Sequence, residues 1–568
     1  MTFWYLAVMM PLVLLGASLA SECTYPSPLK LCPFEQARPE FFPPESPPEM
    51  STSSTVTDQW GHCYKATERG LVIENPNGRT YTLNGERGLP VEEVTCVTMA
   101  ANGDLWMGTP RGAIRFRGGR FEYYASKRWL PHDEVQAIEC LQDGSVRVYT
   151  PDGVSHIQFK TMTLEEKAEH YEVLTDTRHK RHNYVTGCHL PEEGDLSNWR
   201  NHDDDNDGLW TAMYVAAESF RTAVTGSEGA RDKAREALKA ILKLEETTSI
   251  EGFPARSLTH KSEPQFGHHH GGEWHRTEDG EWEWKGDTSS DEIVGHYFAW
   301  HIYYDLVADE KEKERICETC RRVTDHIVDN GFYLIDVDGK PTRWGVWAPE
   351  KLNKDLRWRG DQGLNSLEIL SCLKVAHHLT GDDKYAEAAQ GLIKDHHYAI
   401  NTITRKILPE GIGGAMQNHS DDELAFLPYY NLLILEKDPE LRSIYLLSLE
   451  RSWQVERPEK CPLWNFIYGA VTRRPCDAEA AVESLQGIPL DLIEWRITNS
   501  HRADIEPNPH RGRHGELISI VPVPWPERPI HKWNGNPYSM DGGSGHSEEC
   551  GTFWLLPYWM GRYHGIIE

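Results

Sequence analysis

Basic residues are scarce in this chain. Lys and Arg total 59 against 87 Asp and Glu, giving a formal net charge of −28 over 568 residues and a pI near 5.4. Nucleic-acid binding through phosphate neutralisation needs a basic face, so DNA and RNA are excluded as partners. Long apolar runs are absent after the first twenty residues, which excludes a membrane-spanning helix in the rest of the chain. No HExxH stands beside the His-rich stretch at 268–270, so a zinc-protease arrangement is not expected there. The excess charge per residue is small and 39% of residues are hydrophobic, which excludes wholesale disorder. What the chain has in excess is 20 Trp, 23 Tyr and 27 His.

Residues 1–20 read as a secretory signal. Phe3 to Leu15 is nearly all apolar, small residues follow, and Ser18 and Ala20 suit cleavage after Ala20. The apolar part is shorter than the roughly 20 residues of a span and Pro11 interrupts it. A secreted, extracellular protein without stable membrane insertion is expected. All twelve Cys lie beyond that site. An even number in a secreted chain favours disulfides, with Cys23 and Cys32, and Cys461 and Cys476, as local pairs. Cys317 and Cys320 read as a structural disulfide or as buried thiols. Connectivity and oligomeric state are not readable at this level.

Residues 21–58 are rich in Pro, Ser and Glu and read as an extended linker. Residues 59–160 repeat. Thr67-Glu-Arg-Gly70 returns as Thr109-Pro-Arg-Gly112 and Thr150-Pro-Asp-Gly153, at spacings of 42 and 41. Each period holds several short alternating strands between Gly turns, which is the size of a propeller blade. The run Leu105–Phe116, then Phe121-Glu-Tyr-Tyr124, then Leu130–Val135 resembles two-component-regulator-type propeller repeats. About two and a half blades fit, fewer than the four of a closed propeller. A truncated propeller, an open sheet packed on its neighbour, or a part completed by an oligomer are the options.

From residue 161 onward the period becomes helical. Leu209–Val224, Ile293–Val307, Leu364–Leu379 and Leu424–Leu435 are apolar or aromatic, and each is followed by a tight Gly or Asp turn and a more polar helix. Leu463–Ala470 and Asp477–Leu485 form a further pair, and Phe553–Tyr563 is a last aromatic helix. Apolar helices alternating with half-solvated ones are what an (α/α) toroid requires, and the unequal loops argue against a solenoid. The expected architecture is mainly α: an (α/α)6-type toroid over 161–568, with a small all-β module of truncated propeller blades in front.

The loops before the apolar helices carry the chemistry. The stretch from Gly252 to Glu292 holds Arg256, His268, His270, Trp274, Trp284, Asp287, Asp291 and Glu292, with His296 just beyond. Later loops add Trp344, Trp358, Arg359, Asp361 and Asn365, then Asn418-His419-Ser-Asp421-Asp422-Glu423, then Arg502 and Tyr538. Inner helices of a toroid start at one rim, so these clusters should converge there. Trp faces stack on sugar rings while carboxylates, Arg and His bind hydroxyls, so such a lining suits a glycan cleft.

One metal motif is present. Asp203, Asp205 and Asp207, followed by Gly208, match the opening of a calcium loop. Tyr214 stands where an EF-hand needs Glu, so a shorter structural calcium loop is the form to expect, with an acidic helix start as the alternative. No cofactor is required by the chemistry considered next.

The motifs Gly286-Asp-Thr-Ser-Ser-Asp291, Asp338-Gly-Lys-Pro-Thr-Arg-Trp344, Asp361-Gln-Gly-Leu-Asn365, Asn418–Tyr430 and Leu555–Tyr563 resemble the helical domain of uncharacterised secreted proteins grouped with (α/α)-toroid carbohydrate-active enzymes, over about residues 180–568. That resemblance implies a glycan-active enzyme with an oligo- or polysaccharide substrate. A glycoside hydrolase needs two carboxyl groups, one protonating the leaving oxygen and one acting on the opposite face. The candidates are Asp287, Asp291 or Glu292 for one role and Asp361 or Asp422 for the other, with His296 beside them and the Arg, His, Trp, Asn and Tyr residues above binding sugar. A polysaccharide lyase would instead use Tyr297 or a His of 268–270 as base, with Asn365, Arg256 or Arg359 on a uronate carboxylate. A non-catalytic glycan or partner binder is the third reading.

Overall fold

The computed structural model describes residues 27–203, 205–405 and 418–568. The expected signal segment and Cys23 lie outside them. No described helix is long and apolar enough to cross a membrane.

Three four-stranded antiparallel sheets form the N-terminal module. The first orders β2 (Thr55–Thr57), β3 (Cys63–Thr67), β4 (Gly70–Glu74) and β5 (Thr80–Leu83). The second orders β6 (Cys96–Met99), β7 (Leu105–Thr109), β8 (Gly112–Arg117) and β9 (Arg120–Tyr124). The third orders β10 (Ala137–Cys140), β11 (Val146–Thr150), β12 (Gly153–Met162) and β1 (Phe34–Phe42). The sequence repeat is a repeated turn. Thr67, Thr109 and Thr150 each donate their hydroxyl to the carbonyl three residues on, at 2.6, 2.7 and 2.8 Å. Gly70, Gly112 and Gly153 take φ of +115°, +137° and +156°, and a Cβ on any of them would strike a carbonyl of the next strand.

For Gly153 that carbonyl belongs to Phe42, which shows what completes the third blade. Residues 34–42, read from sequence as linker, pair along β12 from Phe34↔Met162 to Phe42↔Val154. The Pro content obscured this strand, yet Pro39 is tolerated because β1 is an edge strand. The module therefore has three blades, and its loops dock on the larger domain. Arg128 donates to the Ile493 carbonyl (2.9 Å), Ala503 N–H to the Pro90 carbonyl (2.9 Å), and Lys167 Nζ of the larger domain to Gln36 on β1 (3.1 Å).

Twelve helices of the described residues build the toroid. The inner ring is α2 (Asp207–Thr225), α4 (Ser290–Leu306), α6 (Gln362–Thr380), α8 (Ser420–Leu435), α10 (Pro462–Thr472) and α12 (Thr552–Tyr563), each packed on the next, with α12 returning to α2. The outer ring is α3 (Glu228–Thr247), α5 (Glu310–Asp329), α7 (Asp383–His396), α9 (Pro439–Glu456) and α11 (Ala478–Gly487), closed by α1 (Leu164–Arg178) behind α12. The aromatic run of α12 buries ten of its twelve residues, whereas α7 buries only Tyr385 and Leu392. Inner and outer roles thus follow the apolar pattern. The α1 segment had no sequence assignment; its signal is the capping box of Thr163 with Glu166. At the α2–α4 crossing Gly295 lets the backbones touch, since a Cβ would lie 2.7 Å from Leu209 Cα.

The disulfide expectation is not met. Among the described residues eleven Cys are free, including Cys317, Cys320, Cys461 and Cys476. Most are buried small apolar groups in one packed core or another, so packing takes the place that cross-links would have had.

Candidate active site

The starts of four inner helices open on one cavity of about 690 Å³. α2 presents Asp205, Asn206 and Trp210; α4 presents Ser289, Ser290 and Asp291; α6 presents Asp361 and Asn365; α8 presents Ser420, Asp421 and Glu423. Trp344 and Trp358 stand on the rim, and Arg256, Arg513, His514, Lys532 and Asn534 complete the lining. The convergence expected from sequence is therefore present. Helix N-termini aim partial positive charge at this space, which suits it to carboxylates and to developing negative charge.

Five carboxyl groups face the cavity. Asp205 is held toward its charged form by Lys285 and Arg256 against its burial, and the other four are pushed toward the neutral form. Burial raises Asp291, against the hydroxyl bond from Ser289. Burial raises Asp361, opposed by Arg513. Asp421 is raised to about 6, first by burial and then by Asp422 and Asp361, although Arg405 pulls it down. Burial raises Glu423 well above the usual carboxylate range, with Asp291 adding to the rise and Lys532 opposing it. Beneath them Glu368 is fully buried and raised to about 8, while its hydrogen bond from Trp347 works the other way. Desolvation thus outweighs the helix termini at each of the raised groups.

Several predicted residues lie elsewhere. Asp287 faces an adjoining hollow of about 600 Å³ that shares Asp205, Arg256 and Trp344 with the main cavity. Its backbone sits at φ +49° and its carboxylate accepts from Arg343 N–H at 2.8 Å. Glu292 points inward, fully buried against the start of α2, where a Cβ on Gly208 would lie 1.9 Å from its Oε2. His296 is core: Nδ1 is 2.8 Å from the Glu292 carbonyl, and burial lowers it to about 3. Asp422 turns to Arg405, 2.6 Å away, with His419 at 3.5 Å. Consecutive residues of a helical turn face different ways, so of each acidic run only some members reach the cavity.

Among the proposed sugar contacts, Arg256, Trp344, Trp358 and Asn365 line the cavity. Asn365 also donates to the Val346 carbonyl at 2.9 Å. His268, His270 and Arg359 are exposed outside it. Trp274 stacks on His269 at 3.4 Å, and Trp284 is buried on Phe253 and His275. His419 and Tyr538 are buried neighbours, with ring centroids 6.0 Å apart. Arg502 is buried between Asp504 and Glu527 and lies over the Tyr123 ring of the blade module, so it belongs to the domain interface.

The acidic loop before α2 is organised by the protein's own cations. Asp205 pairs with Arg256 at 2.7 Å and with Lys285, while buried Asp207 pairs with Arg181 and accepts from Ser257. Asp203 has His269 at 4.0 Å. The three carboxylates do not gather into a ligand cluster among the described residues.

Sequence reasoning placed Asp421, Glu423 and Asn534 in its polar clusters without giving them a role, and missed Trp210, Arg513, His514 and Lys532. The Asp421 run was visible as a helix start, but the loop from Arg513 to Asn534 carries no helical periodicity that would have tied it to the rim.

No protein-family model matches the chain, and no curated protein matches it. Solved structures show likeness of fold at low identity. A thermostable endoglucanase from Alicyclobacillus acidocaldarius shares 12% identity at a TM-score of 0.40, over 89% of this chain and 97% of that one. A sugar epimerase from a ruminal bacterium shares 12% at 0.39, over 70% and 98%. The extracellular domain of a hybrid two-component system from B. thetaiotaomicron shares 20% at 0.18; the match spans 20% of this chain and 17% of that one. These likenesses concern the arrangement of helices and blades and say nothing of chemistry.

Proposed function

We propose that this is a secreted carbohydrate-active enzyme that hydrolyses a glycosidic bond with paired carboxyl groups at the inner-helix rim. The observation that carries this reading is the convergence of Asp291, Asp361, Asp421 and Glu423 on one cavity flanked by Trp344 and Trp358. Asp421, raised to about 6, is the proton donor to the leaving oxygen. Asp291 enters from α4, on the other side of α6 in the ring, and is the carboxylate for the opposite face of the sugar. Trp344 and Trp358 hold the ring faces, and Arg256 and Asn365 bind hydroxyls. The step calls on no cofactor.

β-Elimination from a uronate keeps one candidate base, His514, with Arg256, Arg513 and Lys532 to neutralise the carboxylate. The bases expected from sequence do not serve it. Tyr297 is buried with its hydroxyl on Thr324 (2.6 Å), His269 lies on Glu283 (2.9 Å), and all of His268, His269 and His270 are outside the cavity.

The deciding experiment incubates the full chain with a panel of neutral and uronate-containing glycans. Reducing ends and the ultraviolet absorbance of unsaturated uronates are followed together, with Asp421→Asn and Asp291→Asn as controls. Reducing ends without absorbance, lost in both variants, are expected. An absorbance rise replaces the hydrolase by the lyase, and cleavage of no glycan leaves a binding protein.

A further inference from the structure

The far ends of the inner helices enclose a second, smaller cavity of about 290 Å³. Its wall carries His301 and Asp305 from the last turns of α4 and is closed partly by Tyr430 of α8 and His564 beyond α12. None of these residues takes part in the rim chemistry. His301 and Asp305 are four residues apart on one helix and so share a face. His378, in the last turn of α6, comes to the same point: its Nε2 lies 2.9 and 3.2 Å from the two Asp305 oxygens, and His301 Nε2 lies 3.4 Å from Oδ2.

The orientation of His301 is fixed from behind. Its Nδ1 lies 2.8 Å from Asn431 Oδ1 on α8, and the ring is 3% exposed. With Nδ1–H donating to that oxygen, the neutral ring turns the Nε2 lone pair toward a carboxylate. Lone pairs facing each other are reconciled by a cation, either a proton on Nε2 or a metal ion held between the groups. An outer partner that fixes the tautomer is the usual support of a metal-ligating imidazole. All three ligand atoms lie within 4.8 Å of one another. Tetrahedral ligands at about 2.0–2.1 Å from zinc are separated by roughly 3.3 Å, close to the 3.4 Å between His301 Nε2 and Asp305 Oδ2 and the 3.2 Å between His378 Nε2 and the same oxygen. The carboxyl ends of α4 and α6 add partial negative charge at the same place. Two imidazoles with a single carboxylate suit zinc and similar transition ions, whereas calcium needs six to eight oxygens.

We propose that His301, Asp305 and His378 form a binding site for a zinc-class divalent ion, with the fourth coordination position open to this cavity. The site is independent of the rim chemistry and stands whether or not the rim hydrolyses glycans.

The test uses the full chain freed of metal by a chelator and returned to buffer. Calorimetric titration with zinc, and titration with cobalt(II) followed by its visible spectrum, are run on the wild type, His378→Ala and Asp305→Asn. A third variant replaces His268 and His270 together, to remove the exposed His loop. The expected result is one equivalent of zinc and an intense tetrahedral cobalt spectrum in the wild type and the loop variant, both lost in His378→Ala and Asp305→Asn. His378 and Asp305 are partly exposed, and thermal unfolding of the metal-free variants confirms that they fold. The proposal is overturned if the wild type takes up no zinc, if both site variants keep it, or if the loop variant alone loses it.

Discussion

Trp347 donates its indole N–H to Glu368 across 2.8 Å, in the wall between the cavity floor and the core. Glu368 is fully buried on α6, one turn below Asn365, and its second oxygen has no hydrogen-bond partner. A carboxyl group so placed stays protonated at neutral pH. It keeps charge away from the floor of the cavity beneath Asp291, Asp361 and Asp421.

The first prediction concerns this pair. Glu368 is raised from 4.5 in the unfolded chain to about 8 in the fold. Its contribution to stability is complete below about pH 4.5 and is lost progressively up to about pH 8. Glu368→Gln removes that titration. The difference between wild-type and variant unfolding midpoints should therefore shift toward the variant from pH 5 to pH 8. A constant difference across that range would sink the assignment.

The second concerns proton donation. Asp421→Asn and Asp291→Asn should each lower kcat by about 10²- to 10⁴-fold, with unfolding midpoints close to wild type. Because the donor must be protonated, wild-type kcat should fall as pH rises through about 6. Initial rates over pH 4 to 8 check both points. An unchanged kcat in Asp421→Asn would move the donor role to Asp361 or Glu423.

Sugar stacking is tested at the rim. Trp344 is 45% exposed in the free protein, an exposure that suits a residue awaiting a ligand better than one completing a core. Trp344→Ala and Trp358→Ala should raise KM roughly tenfold, about 1.4 kcal/mol, with kcat little changed. Loss of kcat at constant KM would show that they act in the transition state.

Gly363 sets how closely α6 approaches its neighbour. A Cβ there would lie 2.4 Å from Arg405 N and 2.6 Å from Arg405 Cα, both backbone atoms. Gly363→Ala must displace the start of α6, which carries Asp361 and Asn365. A loss of about 1–3 kcal/mol is expected from overpacking, together with reduced activity. Chemical denaturation and initial rates measure the two effects, and wild-type stability would show that the approach is slack.

Much of this was legible in the sequence because it is local. Thr109-Pro-Arg-Gly112 and its repeats specify the same hairpin turn three times over, since only Gly accepts the φ and the close carbonyl. The alternation of aromatic and charged helices separated the inner ring from the outer one. The convergence of acidic helix starts followed from the architecture once the pairs were recognised. The choice among adjacent acids did not follow. Asp421 and Asp422 are neighbours in a helical first turn, yet one faces the cavity and the other faces Arg405. No local pattern carries that information, because Arg405 comes from another segment.

By itself, then, the sequence determined the repeats, the helix pairs and the acidic, Trp-bearing character of the rim loops. These arise from hydrophobic period and turn chemistry, which act over a few residues. Tertiary structure decided the rest. It brought β1 back to finish the third blade, closed the ring by setting α1 behind α12, drew Arg502 into the domain interface, and selected Asp291, Asp361, Asp421 and Glu423 from a larger set of carboxylates. Each of these depends on which distant surface desolvates a side chain or satisfies its hydrogen bonds, and that is settled only when the whole chain has packed.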